Sequence, residues 1–492
     1  MNRVVIARTA GVTVLHPLRY RDLATGEVVN RVFDHLVLTD SRQRYVPGRL
    51  TRSWESSPDG LVWTFRLRER ARWHDGRPVT ADDAVFTFET IQDPAGGSAR
   101  RAEFPPDRPV RFTAAGPHVL RAELAAPFAP FLAALAWRPV VARHAPDRPV
   151  GSGAFRFAGR TADEVVLAAE PDYHLGRPPL DEVVWRRTAG IDEAVRQVCD
   201  GAADYVPGVP PALAARLRDR PDVRLVRSAD TSFTYLGFHL DAPPFDDLRV
   251  RRAMAAAIDR DALVRDVLGG CGTVAHGPIA PGGPWYHPGI HRHPYDPARA
   301  AALLDGAGWR RDSDGVRRRD GRPLAFELRT VAGDRVKEET AAALATQLGR
   351  AGVGVRVLTH PMDELLRDHV LPRRFEAILL ALVPNPDPDF LRYFYHSQML
   401  TPVGSNRFAY RDDRVDSLLS ASQSEIDEVR RKGLVGAALE RITRDLPQVF
   451  LFHPEVIDAT RADLLLPDLP ERAANRFMFL HEWDRAAVVR AS

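Results

Sequence analysis

The chain has 492 residues, 45% of them hydrophobic and 27% charged, which excludes a disordered or fibrous protein and is too long for a single hydrophobic core. Lys and Arg number 68 against 65 Asp and Glu, a formal charge of +3, so no nucleic-acid-binding face is expected; the run Arg317, Arg318, Arg319 is flanked by Asp312, Asp314 and Asp320 and reads as a solvated turn. Two cysteines, Cys199 and Cys271, are too few for a disulfide framework or a thiolate metal cage and leave one bridge open.

From Met1 to Arg8 the chain turns polar before it reaches the apolar length of a secretory leader, and no lipid-anchor cysteine lies nearby. The apolar run Ala377 to Val383 falls far short of the roughly 20 residues that span a bilayer as a helix, so the chain is expected to be soluble as written. Ser57-Pro58-Asp59-Gly60 is a turn, and Trp63, Phe65 and Leu67 then alternate with polar residues on one face of a half-buried strand. After the turn Trp73-His74-Asp75-Gly76, Thr80 is a helix N-cap ahead of Val85, Phe86 and Phe88. Two glycines in Gly151-Ser152-Gly153-Ala154-Phe155 permit close backbone approach before a strand that starts near Phe155. Glu164 to Ala169 reads as a strand and Ile191 to Cys199 as an amphipathic helix.

Phe233 to Leu240 is apolar enough for a buried strand. Asp246 or Asp247 caps the next helix, in which Val250, Met254, Ala257 and Ile258 recur at helical spacing, and Asp261 begins a short helix that ends at Gly269-Gly270. The Gly- and Pro-rich stretch from Gly272 to Asp296 is expected to line a cleft or join elements. Asp296-Pro297 opens a helix stopped by Gly306 and Gly308, and helix and strand signals alternate through Phe326–Thr330, Val336–Ala351, Val353–Leu358 and Met362–His369, which is α/β patterning.

Taken in this order, these segments resemble the extracellular solute-binding proteins of family 5, which serve oligopeptide, dipeptide and nickel ABC importers. The most specific block is Trp54-Glu55-Ser56-Ser57-Pro58-Asp59-Gly60 with Trp63 to Arg68, His74-Asp75-Gly76 and Pro78 to Asp83. Gly151 to Phe155, Pro244-Phe245 with Arg249 to Ala253, Tyr295-Asp296-Pro297, Gly308-Trp309, Asp387-Pro388 and Asp445-Leu446-Pro447 extend it along nearly the whole chain. The resemblance implies an α/β fold of the periplasmic-binding-protein type (cluster C), with two hinged lobes that close on a ligand and an extra subdomain. Lobe 1 is then 1–32 with 151–238 and 455–492, the extra subdomain is 33–150, and lobe 2 is 239–454. A receptor of this type is not an enzyme, needs no cofactor or metal, and acts as a monomer that delivers a small-molecule or peptide-like ligand to an ABC importer permease from the periplasm or cell surface. The ligand contacts it implies are Arg19, Ser152, Gly153, Ala154, Phe155, Tyr235, Phe238, His239, Pro384, Asn385 and Asp387.

The chain departs from that pattern where peptide-binding members carry a Trp and an ammonium-binding Asp shortly before Asp387-Pro388; here Ala381 and Pro384 stand at those positions. An ammonium buried without a carboxylate costs several kcal/mol, so a free peptide N-terminus is not expected to bind in the usual way. His239 replaces an Asn, as a ligand donor or a core histidine, and Ala154-Phe155 replaces Pro-Tyr. Cys271 with His276 reads either as a nucleophile pair or as an inert thiol beside a loop histidine, and His287, His291 and His293 either as a metal cluster or as an exposed loop. The alternative function is an intracellular protein of the same fold that sequesters, senses or modifies a metabolite, suggested by the polar N-terminus.

Overall fold

A computed structural model describes residues 2–40, 42–98, 100–104, 108–401, 404–467 and 477–486. The chain forms two compact units, one of Met1–Ser228 with Val456–Ser492 and the other of Ala229–Glu455. The middle unit is thus a single run of chain, while the other is assembled from both ends.

In the split unit, strand Arg3–Arg8 lies parallel to Glu182–Arg187 on one side and to Tyr205–Val206 on the other. Glu164–Ala169 and Phe155–Arg160 continue the sheet antiparallel beyond Glu182–Arg187. Val206 and Tyr205 pair with Ala459 and Thr460, so the C-terminal segment closes the other side. A second, antiparallel sheet has the order Thr51–Ser56, Val62–Leu67, Val119–Leu124, Val110–Ala114. Helix Ala81–Gln92 packs on it through Phe88, stacked 4.9 Å from Phe112. Its start is a capping box, in which the Asp83 carboxylate accepts from the Thr80 amide at 2.9 Å. The same carboxylate accepts from the Arg143 amide at 3.0 Å, fastening a distant loop to the helix start.

The contiguous unit is a sheet of order Gly354–His360, Ala325–Val331, Ala377–Leu382, Phe233–Phe238 and the first half of Gln448–Arg461, with Gly272–Val274 also pairing to the last of these. Successive residues of a strand point to opposite faces, and both faces are covered here. Leu236 and Phe238 join a core formed with Leu248–Ala257, Pro297–Gly306 and Arg335–Arg350. Phe233 and Tyr235 join another formed with Asp413–Ser424 and Glu428–Asp445. This explains why the strand reads as a continuous apolar run.

Aspartates start the helices of this unit as their short acceptor side chains dictate: Asp247, Asp296, Asp334, Asp412 and Asp427 each accept an N-terminal amide. The short helix expected from Asp261 is Arg260–Asp266, and its cap is Asp259, two residues earlier, because Asp259 accepts from the Ala262 amide at 2.9 Å. The segment Met362–His369 makes a single α-turn, Met362–Glu364, and continues as a π-helix over Leu365–Val370. Among the described residues no helix is long and apolar enough to cross a membrane, and Cys199 and Cys271 are both free thiols.

Candidate functional site

In the split unit, the Gly-Ser-Gly segment is a backbone lock. A Cβ on Gly151 would sit 1.8 Å from the Val32 carbonyl oxygen, and one on Gly153 would sit 2.3 Å from that of Arg31. Only glycine allows this approach to the end of helix Leu23–Val32. The Gly153 amide donates to Val32 O at 2.9 Å, His74 Nε2 donates to Gly153 O at 2.9 Å, and Ser152 Oγ accepts from the Asp34 amide at 3.4 Å. Ser152 and Gly153 therefore set the position of the next two residues, Ala154 and Phe155.

Ala154 and Phe155 line a small cavity of about 10 Å³ with Asn30, Arg31, Asp34, Arg49 and His481. Asp34 is 1% exposed; its carboxylate accepts from the Tyr173 hydroxyl at 3.2 Å to each oxygen, and burial pushes its pKa up. Arg31 is 6% exposed, and among the described residues its Nε is buried without a hydrogen-bond partner; burial and Arg49 lower its pKa to about 9 against the charges of Glu27 and Asp34. His481 is held down to about 3 by burial and by Arg49 and Arg31, and His35 is lowered by burial and the same two arginines. Arg49 donates to Met478 O and to His481 Nδ1. Arg19 is not part of this cavity: it is 56% exposed and lies 3.6 Å from Asp147. A second small cleft, of about 20 Å³, is lined by Arg8, Arg160, Asp163, Glu164, Arg186 and Arg187 among others. There Arg187 pairs with Asp163 at 2.6 Å, Arg8 with Glu27 at 2.9 Å, and Arg160 donates to backbone carbonyls.

In the contiguous unit, Tyr235 is buried edge-on against Phe408, 5.7 Å between ring centroids, and burial raises its phenol. Arg407 is close enough to oppose that rise, and Arg407 Nη1, Arg373 Nη1 and His239 Nδ1 are all buried without a hydrogen-bond partner among the described residues. Burial lowers the His239 imidazole, with Arg373 and Arg411 acting in the same direction and Asp241 against them. Tyr235, His239, Arg373 and Arg407 thus form a cationic patch with an aromatic floor. Phe238 lies elsewhere: it is fully buried and stacked on Phe245 at 4.4 Å, in the core on the opposite face of the sheet.

The loop after strand Ala377–Leu382 leaves Val383 66% exposed, Asn385 exposed and Pro384 half-buried. It ends on a buried acidic pair. Asp387 forms a two-pronged ion pair with Arg431 at 2.6 and 2.8 Å and accepts from the Asp389 amide at 2.9 Å. Arg431 in turn lies 5.0 Å over the Trp285 ring and donates to Ser422 O at 3.0 Å, which ties the Gly- and Pro-rich stretch to helix Glu428–Asp445. Among the described residues the Asp389 carboxylate accepts a hydrogen bond only from the Gln423 amide, at 3.3 Å, and burial together with the Asp387 charge pushes it from 3.8 up to about 6.

A carboxyl whose folded pKa exceeds its unfolded value stabilises the fold when protonated, and that contribution disappears as pH rises from about 4 through 6. Asp389→Asn is therefore expected to raise stability by about 2–3 kcal/mol at pH 8 and by nearly nothing at pH 4. Urea unfolding at the two pH values measures the difference; an effect of equal size at both would remove the basis for a strained carboxylate.

The histidines of the Gly272–Asp296 stretch are fastened to helix Glu428–Asp445: His287 Nε2 bonds Glu440 at 2.9 Å, His293 Nε2 donates to Thr443 O at 2.9 Å, and the His291 amide donates to Thr443 Oγ1 at 2.9 Å. The Cys271 thiol donates to Gly269 O at 3.7 Å, and among the described residues no hydrogen bond joins it to His276. A different trio, His360, Glu364 and His369, brings its ligand atoms within 4.8 Å of one another. Arg329 Nη1 donates to His360 Nε2 at 3.0 Å, so the ring proton sits on Nδ1 and is donated to Glu364 at 2.8 Å. That Arg–His–Glu chain is satisfied without a metal.

Sequence reasoning did not single out Arg31, Arg49, His481, Arg373 or Arg407. Only Arg31 carried a readable signal: it lies three residues after Val28 on the buried face of its helix, where a charge is out of place.

This architecture, an α/β chain in two units with the middle unit inserted into the first, is that of a periplasmic-binding-protein fold. The family model for bacterial extracellular solute-binding proteins, family 5, matches residues 44–400, and the chain belongs to that family. It is 31% identical over 438 residues to Protein XP55 of Streptomyces lividans, covering 86% of this chain and 79% of that one. It is 26% identical to the oligopeptide-binding protein AppA of Bacillus subtilis, covering 92% and 86%. The structure of AppA in complex with a nonapeptide superposes with a TM-score of 0.82 at 24% identity, covering 99% of both chains. That of NikA from Brucella suis with Fe(III)-EDTA superposes with a TM-score of 0.88 at 21% identity, covering 98% of this chain and 99% of that one.

Proposed function

We propose that this chain captures a peptide-like or other small organic solute outside the cytoplasm and presents it to an ABC importer. The match to the family over residues 44–400 carries this reading, and relatives named as oligopeptide-binding and di/tripeptide-binding proteins support it. They are binding proteins and not enzymes, and a family described as extracellular disfavours the intracellular alternative. On the first unit the proposed contacts are Ala154 and Phe155, held by Ser152 and Gly153, with Arg19 at the periphery. On the second they are Tyr235, His239, Pro384 and Asn385, with Asp387 holding the loop through Arg431. Residues 33–150, which contain the four-stranded antiparallel sheet, form the extra subdomain of this reading.

Pro384 provides no carboxylate for a peptide's α-amino group, and Asp387 is already paired with Arg431. N-acetylated peptides are therefore expected to bind as well as free ones. A thermal-shift screen of free peptides, N-acetylated peptides, amino-acid conjugates, oligosaccharides and metal chelates tests both statements. A ligand at about 100 times its Kd stabilises by roughly 2.7 kcal/mol, which is a measurable shift. Stabilisation by free but not acetylated peptides would overturn the reading of Pro384, and silence across every class would overturn solute capture.

A further inference from the structure

Three side chains with metal-ligand chemistry converge on one segment of the contiguous unit. His360 ends strand Gly354–His360, Glu364 closes the α-turn Met362–Glu364, and His369 lies in the π-helix Leu365–Val370; their ligand atoms all lie within 4.8 Å of one another. The π-helix is what brings the last two together. On an α-helix, side chains five positions apart diverge by about 140°. The wider turn here, in which the Leu371 amide donates to Leu366 O at 2.8 Å, returns His369 to the side of Glu364. Such turns are rare and often mark functional sites. The chain from Arg329 through His360 to Glu364 leaves out His369, whose ring stands 4.5 Å from that of His360, centroid to centroid. Burial, Arg329 and His360 hold the His369 imidazole below the ordinary histidine range, so it is neutral at neutral pH, and a backbone hydrogen bond at Arg374 engages its ring. One ring nitrogen so engaged leaves the other as a lone pair, the usual state of a metal-binding imidazole.

We propose that His360, Glu364 and His369 form a binding site for a first-row divalent transition ion, zinc or nickel. Two imidazoles and a carboxylate suit these borderline ions and not magnesium or calcium, which take oxygen ligands. All three residues are only partly buried, so the ion enters from solvent and water completes its coordination. His360 contributes Nδ1, the atom that faces Glu364 at 2.8 Å. The ion takes the place of the proton there, the ring carries its proton on Nε2 instead, and Arg329 gives up that nitrogen. Arg329 keeps Glu327, which it already contacts at 2.5 Å. Because Arg329 competes for His360, the site releases its ion more readily than a closed structural one.

Isothermal titration of the full chain, stripped with EDTA and returned to chelator-free buffer at neutral pH, tests the site with zinc, nickel and magnesium chlorides. Zinc and nickel are expected to bind, and magnesium to give no heat of binding. His369→Ala and Glu364→Gln each weaken zinc binding by about tenfold or more, since even outer-shell changes at such sites cost that much. Arg329→Gln strengthens it, because the competitor for His360 is gone. His291→Ala, which alters a histidine pair of similar ring spacing, 4.6 Å, leaves it unchanged. Urea unfolding without metal checks that the variants fold, and cobalt gives a second reading: its visible absorption is expected to intensify on binding to the wild type and not to His369→Ala. Failure of the wild type to bind zinc and nickel, zinc affinity unchanged in both His369→Ala and Glu364→Gln, or weaker binding by Arg329→Gln would each overturn the site.

Discussion

Asp387→Ala is expected to destabilise the protein by about 3–5 kcal/mol, because it leaves the Arg431 guanidinium buried without its counter-ion. Both side chains are almost inaccessible, 3% and 5% exposed, so water cannot replace the lost carboxylate. Arg431→Met strands the Asp387 charge in the same way and is expected to cost a similar amount. The double variant Asp387→Leu with Arg431→Met should cost much less than the sum, since apolar side chains of similar volume can replace a buried ion pair with little loss. Urea unfolding of the two single variants and the double one measures the coupling. Single variants within 1 kcal/mol of wild type would show that the pair is solvated and does not hold the loop.

Phe238→Ala is expected to cost about 3–5 kcal/mol of stability and to leave solute affinity unchanged in the folded protein. The ring is fully buried and stacked 4.4 Å from Phe245, in the core beneath Leu248–Ala257, while Tyr235 faces the opposite core with Phe408. Truncation therefore opens a cavity on one side of the sheet and leaves the Tyr235 side intact. Unfolding and solute titration on the same sample, well below the melting temperature, separate the two effects. Normal stability with lost affinity would place Phe238 in the binding surface instead.

Local punctuation was highly legible in the sequence. The strand Glu164–Ala169 and the helix Ile191–Cys199 have the bounds their apolar periodicity predicts, and Asp247 and Asp296 cap the helices they precede. Strand parity was available but unused: Tyr235 and His239 are an even number of residues apart and Tyr235 and Phe238 an odd number, so alternation assigns Phe238 to the other face. The cationic cavity was not legible, because its charges reach one place through topology rather than spacing. Arg31 ends a helix, Arg49 precedes a strand of another sheet, and His481 follows more than 400 residues later. Nothing in the residues around any one of them signals the other two. The Gly151-Ser152-Gly153 segment was recognisable as a point of close backbone approach, but its partner, the carbonyl end of helix Leu23–Val32, was not.

The insertion of one unit within the other also orders their biogenesis. Residues 229–455 contain every strand and helix of the middle unit except the shared end of Gln448–Arg461, so that unit can close as soon as it leaves the ribosome. The outer unit cannot: Tyr205 waits for Asp458, Val206 for Ala459, and Asp204 for Arg485. Until the last segment emerges, the first 228 residues have an unpaired sheet edge at Tyr205–Val206. During that interval the outer unit's sheet is incomplete, and Tyr205–Val206 gains its antiparallel neighbour only when Ala459 and Thr460 arrive.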